Sequence, residues 1–163
     1  MPAFYSIIPG ATQTTNSTPS TANDCMFVTP GAASMWVTGY IPHGFGAGLT
    51  SLTAIGYRLE KWTSTASSGG TAVTPSPDNP SYRASKMTAG WSAGAVTPGT
   101  GGPTLLLSIG TGPTSPNQWV NQRADFTDAY GLDASATMSI DVFNISPGAS
   151  FVFEASMLTA EGA

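Results

Sequence analysis

Charge is scarce in this chain. Of its 163 residues only five are Lys or Arg and nine are Asp or Glu, 9% together, for a net charge of −4. Neutralising phosphates needs a cationic face, so no nucleic-acid partner is expected. One cysteine, Cys25, cannot form an internal bridge, which excludes a disulfide framework. Its plain reading is a small buried residue, because a reactive thiol wants a histidine or another activating group beside it. No run of eighteen apolar residues exists, so neither a membrane span nor a membrane partner is expected. Met1–Gly10 has no basic stretch and no sustained apolar core, hence no secretory signal, and synthesis in a cytoplasm is expected. A 3.6-residue apolar stripe of three turns is also missing, since Gly or Pro interrupts most windows long enough to hold one. Helix is therefore expected to be minor.

What the chain does hold is 40% apolar residues, 19 glycines and 13 prolines. One domain of this length buries roughly 70% of its unfolded surface, enough for a core without metals or staples. Residues 1–24 begin with a short apolar piece, Phe4 to Ile8, and continue through a polar run with no hydrophobic period. Such a segment cannot fold by itself and reads as an extended N-terminal arm. From residue 25 to 163 short apolar runs alternate with Gly and Pro, the texture of a single β-sandwich domain. Candidate strands are Cys25–Thr29, Ser34–Ile41, Leu52–Thr63, Ser85–Ser92, Thr104–Ile109, Trp119–Phe126, Ser135–Ile145 and Phe151–Leu158. Several have a period of two: Ile55, Tyr57 and Leu59 against Arg58 and Glu60; Met138, Ile140 and Val142 against Ser139 and Asp141; Ala155 and Met157 against Glu154 and Ser156. Leu105, Leu106 and Leu107 do not alternate and fit a strand buried on both faces. The Ser146-Pro147-Gly148-Ala149 turn between the last two candidates predicts a hairpin. Ala66–Tyr82 and Gly94–Pro103 read as long Gly/Pro-rich loops, which neighbouring chains would pin.

Catalytic signals are weak. Gly90-Trp91-Ser92-Ala93-Gly94 has the spacing of a nucleophile elbow, but that motif needs a strand-to-helix turn and a histidine later in the chain. The only histidine, His43, comes earlier, in a Pro/Gly-rich loop; His43, Asp78 and Ser92 share the chain order of another hydrolase class with nothing to bring them together. No nucleotide-binding glycine motif is present. Asp125, Asp128 and Asp133 are close enough in sequence to suggest calcium, without the spacing of a known loop. Six acids and no base lie between residues 124 and 163, read as a solvated acidic surface. No enzyme activity, cofactor or metal is expected. Trp36 and Trp62 lie on strand faces opposite the main apolar set, as interface residues do. With the apolar residues of the arm, Phe4, Tyr5, Ile7 and Ile8, they form the candidate assembly contacts.

The strings Ile8-Pro9-Gly10-Ala11-Thr12-Gln13-Thr14, Asn23-Asp24-Cys25, Arg58-Leu59-Glu60-Lys61-Trp62-Thr63, Ser68-Gly69-Gly70-Thr71-Ala72-Val73-Thr74-Pro75 and Phe151-Val152-Phe153-Glu154 resemble small structural proteins of tailed bacteriophages. They are most similar to the capsid decoration, or cement, proteins of phages of cyanobacteria and other aquatic bacteria. That resemblance implies an all-β, β-sandwich or jelly-roll-like body, often a homotrimer, on the outer capsid surface of the virion. There it would bind the major capsid protein across capsomer boundaries. Two alternatives remain open: another virion component, such as a tail-tube, tail-tip or fibre protein, and a carbohydrate-binding β-sandwich module whose indoles cover pyranose faces.

Overall fold

Segments in which every second residue is apolar can satisfy their backbone hydrogen bonds and hide their apolar faces by pairing into sheets that stack. The computed structural model describes residues 2–10, 12–14, 22–45, 55–102, 104–111, 119–121, 124–145 and 152–162. Among these there is no helix. The strands are β1 (Ala3–Ile7), β2 (Gln13–Thr14), β3 (Ala22–Thr29), β4 (Met35–Phe45), β5 (Ile55–Trp62), β6 (Ser68–Val73), β7 (Ser76–Pro77), β8 (Thr88–Thr97), β9 (Thr104–Thr111), β10 (Trp119–Asn121), β11 (Ala124–Leu132), β12 (Ser139–Ile145) and β13 (Val152–Glu161).

They form two sheets. One runs β10-β4-β13-β1-β7, with β11 also beside β4 and β2 beside β13; the other runs β6-β8-β3-β12-β5-β9. Every pairing is antiparallel. Without β2, β6, β7 and β8, the order β1-β13-β4-β10/β11 faces β3-β12-β5-β9. That is the strand order of a jelly roll, two interleaved Greek keys, one of the two forms that the resemblance implied.

The remaining strands belong mainly to an insert. β5 and β9 pair directly, Lys61 opposite Thr104. Beyond them the chain narrows to a neck in which Ser64 N and Thr65 N donate to the Thr100 carbonyl at 3.0 and 3.2 Å and Thr100 N donates back to Thr65. Gly99 is required there, because a Cβ would collide with the Thr65 carbonyl and the Trp62 side chain. Past the neck, β8 and β6 extend one sheet from β3, and β7 extends the other from β1. The insert thus clips both sheets along one side of the sandwich.

Between the sheets lie Tyr5, Ile7, Met26, Val28, Met35, Val37, Tyr57, Leu59, Trp91, Ile140, Val142, Ala155 and Met157, all buried. Each large side chain among them contributes about 1.5–3 kcal/mol. The expected alternation holds in β5, β12 and β13. Cys25 is the extra residue of a bulge, since Met26 pairs with Val142 and Asp24 with Phe143. Its buried thiol donates to the Val142 carbonyl at 3.1 Å, and burial pushes its pKa well up, so it is an inert packing residue.

Three expectations need correction. Residues 1–24 are not an arm apart from the body: β1 lies between β13 and β7, paired with β13 from Ala3↔Glu161 to Ile7↔Met157, and β3 begins at Ala22 inside the supposed arm. The segment is too polar to fold alone, yet its alternating Tyr5 and Ile7 supply an inward row once β13 offers an edge. Secondly, β12 and β13 do not form a hairpin; they lie in different sheets, their apolar rows turned toward the shared core. Thirdly, Ala66–Tyr82 contains β6 and β7, and β8 runs four residues into the second loop, to Thr97. The candidate Trp119–Phe126 is divided between β10 and β11. The side chains of Leu105, Leu106 and Leu107 lie outside the described ones.

Candidate functional site

Strand parity divides the candidate assembly contacts. Tyr5 and Ile7 are fully buried in the core, so neither can touch another molecule, contrary to expectation. Phe4 and Ile8, on the other side of the same backbone, are 42% and 57% exposed, the exposed large hydrophobic residues among those described. Phe4 stands opposite Ala160, and Ser6 opposite Leu158. Across β13, Trp36 stands opposite Ala160 and Ile41 opposite Ser156. Phe4, Ile8, Trp36, Ile41 and Leu158 therefore share the outer face of one sheet, with no charge among them, and the last three are half-buried. Trp62 differs: it packs against the insert at Gly99, and its indole nitrogen is buried. Trp91 is in the core, and the Trp119 side chain lies outside the described ones.

The catalytic candidates are not assembled. Ser92 is in mid-strand on β8, with no helix after it, whereas His43 is on β4 of the other sheet. Asp78 follows β7 and accepts a 2.7 Å hydrogen bond from Ser6. β7 is three strands from β4, about 14 Å at the usual strand spacing. The His43 side chain lies outside the described ones, as do those of Asp125 and Asp128; Asp133 is exposed. Among the described residues, no group of three or more His, Cys, Asp or Glu is placed to hold a metal ion.

The acids hold what the sequence concealed. Glu60 and Asp141, expected on a solvated outer face, are 6% and 0% exposed, and Asp24 is 5% exposed. The neck of the insert covers Asp141. Ser67 N donates to Ser139 Oγ at 3.1 Å, Gly99 N donates to Ser67 Oγ at 2.8 Å, and both hydroxyls donate to Asp141, Ser139 at 2.6 Å and Ser67 in a still shorter contact. Arg58 pairs with Glu60 at 3.0 Å and lies 5.3 Å from the Phe143 ring centroid. Neither Asp24 oxygen has a partner in normal hydrogen-bond geometry. Burial above all, then the neighbouring Asp141 carboxylate and the Glu60 charge, push the Asp24 pKa up to about 10. Asp24 is thus a neutral acid at pH 7. Burial raises Asp141 too, against the hydroxyl donors of Ser139 and Ser67, which favour its anion, so of the two acids Asp24 is the more strongly driven to keep its proton. Two carboxyls driven apart in this way resemble an acid and base pair. The burial of Asp141 under the neck makes it instead a latch between insert and sheet.

A second latch fastens the far end of the insert. Glu161, 0% exposed, accepts from Arg83 at 3.0 and 3.3 Å, Ser85 Oγ at 2.8 Å and Lys86 N at 2.8 Å. Burial alone would raise its pKa; these donors outweigh it and hold the carboxyl below the usual range. Asp141 and Glu161 therefore do not belong to the solvated acidic surface expected from the sequence. Between the latches, Val73, Pro75, Pro77, Met87 and Ala89 line an open apolar groove of about 520 Å³.

What the arrangement offers is contact surface: a sheet face with Phe4 and Ile8 proud of it and Glu154 farther along β13, and a groove along the insert. Comparison with known proteins finds no family model, no curated protein and no solved structure that matches the chain.

Proposed function

We propose that the protein is a structural virion component, a decoration protein that attaches to the outer surface of a phage head and stabilises it, and that it acts as a homotrimer. The observation that carries this reading is the exposure of Phe4 and Ile8 on the outer face of a sheet, beside the half-buried Trp36, Ile41 and Leu158. Large apolar side chains clustered on a rigid β-surface mark an interaction site. The resemblance of the chain to phage cement proteins supplies the identity of the neighbours, and the separation of Ser92 from His43 by the two-sheet architecture supports a role without chemistry. With β1 inside the body, attachment falls to the outer face and to the insert rather than to a free arm. Several such contacts acting together hold capsomers more firmly than any one of them.

The test has two parts. A cryo-electron map of virions that carry the protein should show it outside the head at capsomer boundaries; density in the tail assigns it to the alternative virion role. In solution, Phe4→Asp with Ile8→Asp should convert a trimer, measured by analytical ultracentrifugation, to a folded monomer and reduce capsid binding at least tenfold. Unchanged mass and unchanged binding would refute the assignment of this face.

A further inference from the structure

Where β11 borders the outer face, the chain builds a small polar pocket that shares Trp36 with the assembly face and adds polar residues which the assembly reading does not use. Ser34, Trp36, Lys61, Thr63, Asp133 and Met138 line a cavity of about 310 Å³, completed by Gly131 and Leu132. That is the lower end of the range for small-molecule sites, about 300–1,000 Å³.

Trp36 forms its wall. Gly131 stands directly opposite it on β11. A Cβ there would come within 2.8 and 2.9 Å of the indole Cδ1 and Nε1, and one at Gly162 would lie 3.6 Å from Cη2. Backbone glycines at both ends of the ring thus hold the indole down across the sheet, leaving a half-buried aromatic surface beside polar groups. Lys61 is oriented by a 3.4 Å hydrogen bond from its ammonium to the Gly131 carbonyl, with two further donor hydrogens to offer. Asp133 and Thr63 are exposed beside it, an acceptor and a hydroxyl.

We infer that this pocket binds one residue of a neutral carbohydrate. A pyranose has an apolar C–H face that suits a fixed indole and an equatorial rim of hydroxyls that both donate and accept. Lys61 supplies the donor, Asp133 the acceptor, and Thr63 and Ser34 serve as either. Phosphorylated and acidic sugars fit poorly, because the single cation is already shared with a carbonyl and the Asp133 carboxylate repels a second anion. Trp36 lies two strands from Phe4 on the same outer face, so the pocket borders the proposed assembly surface, with Lys61, Thr63 and Asp133 on the side away from Phe4. A single shallow subsite of this size binds in the millimolar range.

The test uses the full chain labelled with ¹⁵N, in which the Trp36 indole N–H resonance is identified as the one lost in Trp36→Phe. Methyl glucoside, methyl galactoside, methyl mannoside and N-acetylglucosamine are titrated, with glucuronate as the acidic control. At least one neutral sugar should shift the Trp36 resonance saturably while the Trp91 resonance, in the core, stays in place. Asp133→Ala, a change at an exposed position that leaves the fold intact, should weaken that sugar at least fivefold, and glucuronate should bind at least tenfold more weakly. The inference is overturned if no neutral sugar moves the Trp36 resonance, if Asp133→Ala leaves affinity unchanged, or if glucuronate binds as well as the neutral sugars.

Discussion

Replacing Asp24 by Asn should stabilise the protein, and increasingly so as pH rises. In the folded chain the Asp24 carboxyl keeps its proton up to about pH 10, whereas the unfolded chain releases it near pH 3.8. The folded-state pKa is raised, so the contribution of this group is greatest below pH 3.8 and is lost as pH climbs toward 10. Folding at pH 7 must recover a proton that the unfolded chain gives up with a pKa about three units lower. At roughly 1.4 kcal/mol per pH unit, that costs about 4 kcal/mol. Asn has the shape of the protonated acid and an amide that can face Asp141, yet needs no proton. Urea denaturation followed by tryptophan fluorescence, run on both proteins from pH 5 to 8, should show Asp24→Asn gaining on the natural chain by about 4 kcal/mol across that interval. Any packing penalty of the amide shifts the whole comparison without changing its slope. Two parallel stability curves would mean that Asp24 is ionised in the folded protein, and the reasoning about the buried pair would fail.

Glu161 has the opposite sign: its folded pKa is lowered, so its contribution is present above pH 4.5 and disappears as pH falls through the folded value. Glu161→Gln should cost about 2 kcal/mol at pH 7 through weakened charge-assisted hydrogen bonds. Hydrogen exchange at the Lys86 amide, which donates to this carboxylate, should accelerate while the β12 amides remain protected. Tyr5→Ala should destabilise the domain by about 3–5 kcal/mol in chemical denaturation, because it empties a fully buried aromatic site; a loss below about 1 kcal/mol would return β1 to the status of an arm.

Reading these residues in order explains which parts of the molecule were visible in advance. The strands of the body announced themselves because Tyr57 and Leu59, Ile140 and Val142, or Ala155 and Met157 each place two apolar side chains on one face, a local property. Pairing is not local. The turn residues after β12 favour a hairpin, but the apolar rows of β12 and β13 are satisfied equally well across the core, and the partners that decide between these are far away in sequence. β1 escaped notice because its inward row is only Ala3, Tyr5 and Ile7, next to a long polar run. Its parity was nevertheless legible: Phe4 and Ile8 share one side, Tyr5 and Ile7 the other, which separates surface contacts from core. The buried acids were not legible at all. Asp24, Glu60 and Asp141 occupy an outer face, and the contacts that cover Asp141 come from Ser67, about seventy residues away in the chain.

The pairing of β1 with β13 also sets a clock on biosynthesis. Ala3 meets Glu161, 158 positions later in the chain, so at about 5–20 residues per second the first strand waits about 8–30 s on the ribosome for its main partner. Meanwhile its aromatic residues are in water and its backbone edges are open to any neighbouring strand. Chaperone occupancy and translation speed will therefore govern how much native protein accumulates, and lesions in β13 will lower yield by lengthening that exposure even where the finished fold tolerates them.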